Sequence, residues 1–534
     1  MSYNQWKLLN NLKDTITKFT SDKTVIQNFT RDFLELIQKG PPSLYRNQVL
    51  KYFENIGVLK NIALEERQEE TVLPAVKSEA KSKVVPKETS RGAATWKKNA
   101  GVSETCISTR TDQILHSIEI AVSDDLALSL TEQLLSHIRK YPEVRSKAVK
   151  IGAVRLFLKL RSNTKNTALL EAIREALAIL GYADPVPKSG IRILSIDGGG
   201  IRGLLVLEML MKLEELTGQR INQLFDFICG VSTGALLSYA IAAHRRPLDE
   251  IATIYETMSR EVFKQSSWRG TGSLVWSHSY YDTMLWEKRL KEYLGTITLS
   301  QTARDPQCPK ICTVSAVVNQ TRLSAFLFRN YSIPWKFQSQ YQGCCDCEVW
   351  QAARASAAAP TYFEEFKLGN LLHQDGGILV NNPTAIAVHE AKLLWPDTPI
   401  QCVVSFGTGR SVSSPIEPIV LPEGEGITAS ATTSWANKFF TILDSATDTE
   451  AVHIILNDLL PGNVYYRFNP YLTEVISMVE IDPKKIEQLR RDAIMYLRRN
   501  EDKFQEVAKN LMQNKSLLRK TTDYIKVQRV KYGI

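Results

Sequence analysis

The sequence predicts an α/β fold with a mainly parallel sheet, preceded by an all-helical region. Three observations predict it. From Gly190 onward, strand-like apolar runs alternate with amphipathic helical stretches, the pattern of a parallel sheet covered on both faces. Between Ile114 and Leu180 apolar residues recur at helical spacing. The segment Asp184-Pro-Val-Pro-Lys-Ser-Gly190 separates the two and is made of chain-breaking residues.

A chain of 534 residues exceeds what one core organises, so several domains are expected. Residues 1–64 read as a helical N-terminal region and residues 65–104 as a basic disordered linker. Within the linker, residues 77–101 hold seven basic and two acidic side chains and little that could pack. That suits a solvated tether, or a basic segment drawn to an anionic membrane. Residues 105–184 read as an armadillo-like helical domain of three or four short helices. Leu134, Leu135 and Ile138 share one face, as do Leu169, Ile173, Leu177 and Leu180. Pro142 and Gly152 punctuate it, and no fixed period recurs.

Residues 190–410 form the expected α/β domain. Strands are read at Ile191 to Ile196, Phe225 to Cys229, Ile311 to Val318 and Gln401 to Phe406, with helices at Leu204 to Leu216 and Ala235 to Ala243. Residues 411–534 read as a helical extension packed on that domain, basic from Asp482 onward.

Bulk chemistry narrows the function classes. Basic minus acidic residues is 66 − 57 = +9, a modest excess that favours loose contact with anionic surfaces. Eight cysteines in this length do not make a disulfide scaffold, and the opening MSYNQWKLLNNLKD has no signal-peptide pattern. The expectation is an intracellular, non-secreted protein. No apolar window is long enough for a spanning helix, so membrane work would be peripheral.

Two motifs bear on chemistry. The stretch IRILSIDGGGIRG (191–203) places Gly198, Gly199 and Gly200 between a strand and a helix, where backbone N–H groups gather negative charge. Gly198-x-Gly200-x-x-Gly203 also fits a dinucleotide pattern. That reading wants an acid at the end of the next strand, whereas Glu214 and Glu215 fall inside a helix. The second motif, Gly230-Val-Ser-Thr-Gly234, is G-x-S-x-G between a strand and a helix. Small flanking residues permit the sharp turn that presents Ser232, and the following helix aims its positive end at the serine.

An elbow serine needs a proton acceptor. His278, His373, His389 and His453 follow it, none in a short glycine-flanked loop, and each reads as structural. Asp375, in His373-Gln-Asp-Gly-Gly377, is the other candidate. Alone, Asp-Gly-Gly is a turn signal; a desolvated carboxylate there can also act as a base. Combined, the pieces suggest attack by Ser232, proton transfer to Asp375, and an oxyanion held by glycine N–H groups.

This constellation resembles the patatin-like phospholipase family. The resemblance runs through Asp197-Gly-Gly-Gly-Ile-Arg-Gly203, Gly230-Val-Ser-Thr-Gly234 and Asp375-Gly-Gly377 in family order. WSHSYYDTMLWE (276–287), ARASAAAPTYF (353–363), QDGGILVNNP (374–383), SFGTGR (405–410) and SATDTE (445–450) are similar to the calcium-independent phospholipase A2 gamma branch. The likeness covers residue 190 to the C-terminus. It implies a three-layer α/β/α sandwich and a Ser232–Asp375 dyad with an acyl-enzyme intermediate. Gly198, Gly199 and Gly200 would form the oxyanion hole. Arg202, Gly203, Gly230, Gly234, Gly376 and Gly377 would support the motifs, Arg202 holding the loop or a lipid phosphate, or capping a helix at the surface.

The activity implied is hydrolysis of acyl esters of membrane glycerophospholipids, as phospholipase A or lysophospholipase, on mitochondrial, endoplasmic reticulum or peroxisomal membranes. Alternatives are a catalytically silent helical scaffold and a nucleotide-binding oxidoreductase. No cofactor, metal or nucleic acid is expected, and protein partners would use the N-terminal helices. No EF-hand loop is present. Cys344, Cys345 and Cys347 with Cys308 and Cys312 invite a zinc reading, which the Asp346 interruption and the lack of paired histidines oppose. Trp268, Leu274, Val275, Trp276, Tyr280, Tyr281 and the run Tyr331 to Phe337 are candidates for an apolar mouth at the membrane, or for core packing.

Overall fold

A computed structural model describes residues 104–264, 281–411, 449–474 and 476–533. The expected N-terminal helical region (1–64) and nearly all of the linker lie outside the described residues.

Five helices come first: α1 (Glu104–Glu119), α2 (Asp124–Lys140), α3 (Val144–Lys150), α4 (Ala153–Asn163) and α5 (Thr167–Ile179). Ser123 caps α2 by accepting the Leu126 N–H at 3.3 Å, and Asn166 caps α5 by accepting the Leu169 N–H at 3.2 Å. These side chains satisfy donors that a first helical turn leaves open. The expected faces close on one another, with Leu134, Leu135, Ile138, Leu169, Ile173, Leu177 and Leu180 all buried in one cluster. There are five helices where three or four were expected, and their unequal lengths give no recurring unit.

The strands are β1 (Ile191–Ile196), β2 (Phe227–Val231), β3 (Lys310–Val317), β4 (Ser324–Arg329), β5 (Gln342–Cys344), β6 (Phe366–Leu368), β7 (Leu371–Asp375), β8 (Ile400–Phe406), β9 (Arg410–Ser411), β10 (Tyr465–Phe468) and β11 (Tyr471–Leu472). The main sheet runs β10-β8-β1-β2-β3-β4-β5. Pairing is parallel from β10 to β3, antiparallel between β3 and β4, and parallel again from β4 to β5. The central strands are buried almost throughout, and successive side chains alternate between two cores as a sheet covered on both faces requires. Leu194, Ile196, Ile228 and Phe406 enter one core; Ile191, Ile193, Phe227, Val231 and Val403 enter the other. Helix α6 (Gly203–Thr217) packs into the first core. The remaining α-helices of six or more residues among the described residues are α7 (Thr233–Ser238), α8 (Leu248–Phe263), α9 (Thr283–Leu294), α10 (Val349–Ser356), α11 (Thr384–Leu394), α12 (Thr449–Leu459), α13 (Pro483–Arg499), α14 (Glu501–Leu511) and α15 (Leu517–Tyr532). Of these, α11 packs into the second core, giving three layers.

Two sequence readings need correction. The second strand starts at Phe227, not Phe225, because Phe225 closes a one-turn helix (Ile221–Leu224) and the Asp226 carboxylate is engaged by Arg192 where the strands begin. The segment from residue 411 onward is more than a helical extension: β10 joins the sheet beside β8. The Tyr-Tyr-Arg-Phe sequence of β10 disguises a buried strand, since its arginine has a buried partner.

Candidate active site

The site arises from the way β3 is shared. Strand β2 pairs with β3 as far as Val231↔Val314. From the next residue onward the same edge of β3 is taken by β7, running the opposite way, with Ser315↔Asp375. The C-terminal ends of β2 and β7 therefore meet, and Ser232 follows one while Asp375 ends the other. Ser232 Oγ donates to Asp375 Oδ2 at 2.6 Å.

Ser232 has φ +53° and ψ −118°, a conformation that costs an ordinary residue about 1–3 kcal/mol. Its surroundings hold it there. The Ser232 N–H donates to Ser356 Oγ at 2.9 Å, and that hydroxyl donates to the Val314 carbonyl at 2.6 Å. The motif glycines allow backbone to touch backbone: a Cβ at Gly230 would lie 2.1 Å from the Gly234 carbonyl oxygen, and one at Gly234 would lie 2.2 Å from that of Ile196.

Asp375 is buried, and it forms no ion pair among the described residues. The Gly377 N–H donates to its Oδ1 at 2.7 Å, and Gly376 lies against the Val314 carbonyl. Burial pushes the Asp375 carboxyl up to about 6, opposed by the bonds from Ser232 and Gly377. A carboxylate raised this far still ionises at neutral pH and accepts a proton more readily than an exposed one.

The glycine-rich loop stands beside the serine; a Cβ at Gly198 would lie 3.1 Å from the Ser232 Cβ. The Gly198 N–H is directed to the Asn381 carbonyl at 3.4 Å. Those of Gly199 and Gly200 donate to no acceptor among the described residues. Gly200 has φ +58°, and its carbonyl accepts from Thr233 Oγ1 at 3.0 Å and Tyr255 OH at 2.9 Å, which fixes the loop's twist. Thr408 Oγ1 donates to the Gly198 carbonyl at 2.7 Å. Gly203 packs against the Thr233 methyl. Arg202 is buried, with Nε 3.4 Å from the Gly199 carbonyl, so it braces the loop and is not a surface arginine.

The residue opening this loop, Asp197, is buried and takes two bonds from Arg467 of β10, at 3.0 and 2.6 Å. No sequence signal marked Arg467 or Tyr255. Ser356, Thr408 and Asn381 lay within stretches noted for their likeness to the family, without a role.

The histidines take other positions. His373 is buried between Phe326 and Phe328 with Nδ1 2.9 Å from Ser315 Oγ, and burial pushes it down to about 4. His389 lies in α11 against Tyr341, and His453 meets Tyr465 OH at 3.2 Å. His278 lies outside the described residues.

The five cysteines do not converge. Cys344 and Cys347, three apart, have sulfurs 3.5 Å from each other; Cys312 is buried beside Cys229, and Cys308 accepts from Asn330. Among the interface candidates, Trp268, Leu274, Val275, Trp276 and Tyr280 lie outside the described residues. Tyr281 is buried against Phe263 and Tyr362, and Tyr331 is a core residue bonded to Glu390 at 2.9 Å. Trp335 and Phe337 are exposed. No helix among the described residues is long and apolar enough to cross a membrane.

Residues 194–388 match the family model for patatin-like phospholipase. Calcium-independent phospholipase A2-gamma of Rattus norvegicus is 44% identical over 428 residues, covering 80% of this chain and 54% of that protein. The Homo sapiens protein of the same name is also 44% identical, covering 80% of this chain and 53% of its own length. Phospholipase A I of Arabidopsis thaliana is 30% identical over 406 residues, 64% of this chain and 30% of that protein. The chain thus spans about half the length of the phospholipase A2-gamma relatives. Motifs, sheet and relatives agree: residues 194–388 form a patatin-like phospholipase domain, and the chain is similar over 80% of its length to the calcium-independent phospholipase A2-gamma proteins.

Proposed function

We propose that the protein is a calcium-independent phospholipase that hydrolyses fatty acyl esters of membrane glycerophospholipids, as phospholipase A or lysophospholipase. The observation that carries the reading is the 2.6 Å bond from Ser232 Oγ to a buried Asp375 carboxylate without a cationic partner among the described residues.

In this mechanism Ser232 Oγ attacks the ester carbonyl carbon as its proton passes to Asp375 Oδ2. The charge gathering on the carbonyl oxygen falls toward the Gly199 and Gly200 N–H groups, donors typically worth about 2.7–4 kcal/mol each in the barrier. Collapse breaks the bond to the glycerol oxygen, which takes the proton from Asp375 and leaves as the lysolipid. Water then gives a proton to Asp375 and attacks the acyl carbonyl carbon; collapse breaks the bond to Ser232 Oγ, which takes the proton back from Asp375, and the fatty acid leaves. The raised Asp375 supports both proton transfers.

The proposal places the protein peripherally on an intracellular organelle membrane, toward which its +9 net charge is a weak attraction. A fluorophosphonate probe is expected to form an adduct mapped by mass spectrometry to Ser232, and a mixed-chain phosphatidylcholine is expected to yield fatty acid and lysolipid. A chain that is folded yet takes no label and releases no fatty acid would return the reading to a silent scaffold.

A further inference from the structure

The parallel strands β1, β2 and β3 begin at the end of the sheet opposite Ser232. There, between their first residues and the helical region, lies an open cavity of about 330 Å³. Four cations line it: Arg161 of α4, Arg174 of α5, Arg192 of β1 and Lys310 of β3. Three carboxylates also line it, and each already has a cation. Asp184 receives two bonds of 2.8 Å from Arg161. Asp226 receives bonds of 2.7 and 3.1 Å from Arg192. Asp305 pairs with Arg245 at 2.8 Å.

Two cations are left over. Arg174 reaches only the Arg304 carbonyl, at 3.2 Å, and has no carboxylate partner among the described residues. The Lys310 ammonium forms no hydrogen bond or ion pair among the described residues. Burial holds Lys310 below the ordinary lysine range, with Asp184 and Cys308 opposing. Withdrawing a charge from water costs several kcal/mol, which Asp184, already bonded to Arg161, offsets only in part for Lys310, and an anion shared by Lys310 and Arg174 would offset more of it. The cavity's size fits a small ligand, and Tyr182 and Trp395 supply flat walls beside the charge.

We propose that this cavity binds a phosphate-bearing small molecule, its phosphate held between Lys310 and Arg174, remote from the catalytic serine. Because Arg174 belongs to the helical region and Lys310 to the sheet, the bound anion ties the two together. The site is independent of the chemistry proposed for Ser232.

The test is thermal unfolding of the full chain in inorganic phosphate or sn-glycerol 3-phosphate, each against chloride at equal ionic strength. Binding is expected to raise Tm by about 2 °C or more in the wild type. The shift should vanish in Lys310→Met and Arg174→Gln and persist in Lys509→Met, an exposed lysine on α14. A larger shift with glycerol phosphate assigns an esterified ligand; an equal or larger one with inorganic phosphate assigns the free ion. A cooperative unfolding transition and a far-UV circular dichroism spectrum like the wild type's certify each variant as folded. Should Lys310→Met fail to fold, Arg174→Gln alone decides, since its helix position tolerates an amide. No shift in the wild type, or a shift that survives in Arg174→Gln, overturns the proposal.

Discussion

Two aspartates follow or end strands of one sheet, and both lead into glycines: Asp197 after β1 and Asp375 at the end of β7. Both are buried, at 2% and 7% exposure, so burial drives both carboxyls upward. Their partners differ. Asp197 is met by the two-pronged Arg467 guanidinium, whose attraction opposes burial and makes the pair a strut. Asp375 is met by a serine hydroxyl and one backbone N–H, neither of which carries a charge. The same short motif thus gives a strut in one place and the proposed base in the other, and the partner decides which.

The comparison can be broken by removing each charge in turn. Asp375→Asn keeps the shape and loses the acceptor; ester hydrolysis is expected to fall about 10²–10⁴-fold with Tm little changed. Asp197→Asn strands the buried Arg467 charge, so denaturant unfolding should reveal a loss of about 3–5 kcal/mol. The fraction that remains folded should still label at Ser232. If the two variants exchanged phenotypes, the assignment of base and strut would be reversed.

Titration sharpens the same contrast. Asp375 must be ionised to accept a proton, and its carboxyl is raised to about 6. The kcat/KM profile should therefore be flat above pH 6 and fall about tenfold per pH unit below it. An ordinary exposed carboxylate would place that limb near pH 4. A smaller effect is expected from Ser356→Ala, which leaves the Ser232 N–H without its acceptor. It should cost about 1–3 kcal/mol of stability and slow fluorophosphonate labelling several-fold, leaving the acidic limb in place.

Local signals made much of this legible. The apolar run of β1, the strand–turn–helix around Ser232 and the helical spacing of α2 and α5 are short-range patterns, and each yields an element near where it was read. Asp375 was legible as a candidate from its Asp-Gly-Gly turn, and the family resemblance set it apart from an ordinary turn, whereas its strand was not, because Leu-Leu-His-Gln-Asp has too few apolar residues to announce one. Arg467 was illegible. It lies 270 residues from Asp197, and nothing around an arginine in Tyr-Tyr-Arg-Phe distinguishes a strut from a surface charge. Ser356 lay in the noted stretch 353–363 but without a role: its neighbours Ala355 and Ala357 fit a helix end, while its contact with Ser232 exists only after the sheet has formed. The run Tyr331 to Phe337 left interface and core packing both open, and it divides: Tyr331 sits in the core while Trp335 and Phe337 are exposed.

Strand β7 owes its alignment to a hairpin of just two linking residues, Gly369 and Asn370, between the paired Leu368 and Leu371. Side chains of a strand alternate between faces. One residue inserted ahead of Leu371 that slid the strand by a single step would turn the carboxylate to the far side while the alcohol stayed put. The tightness of a distant bend therefore acts as a ruler for catalysis, and the protein's chemistry is only as well aligned as that bend is short.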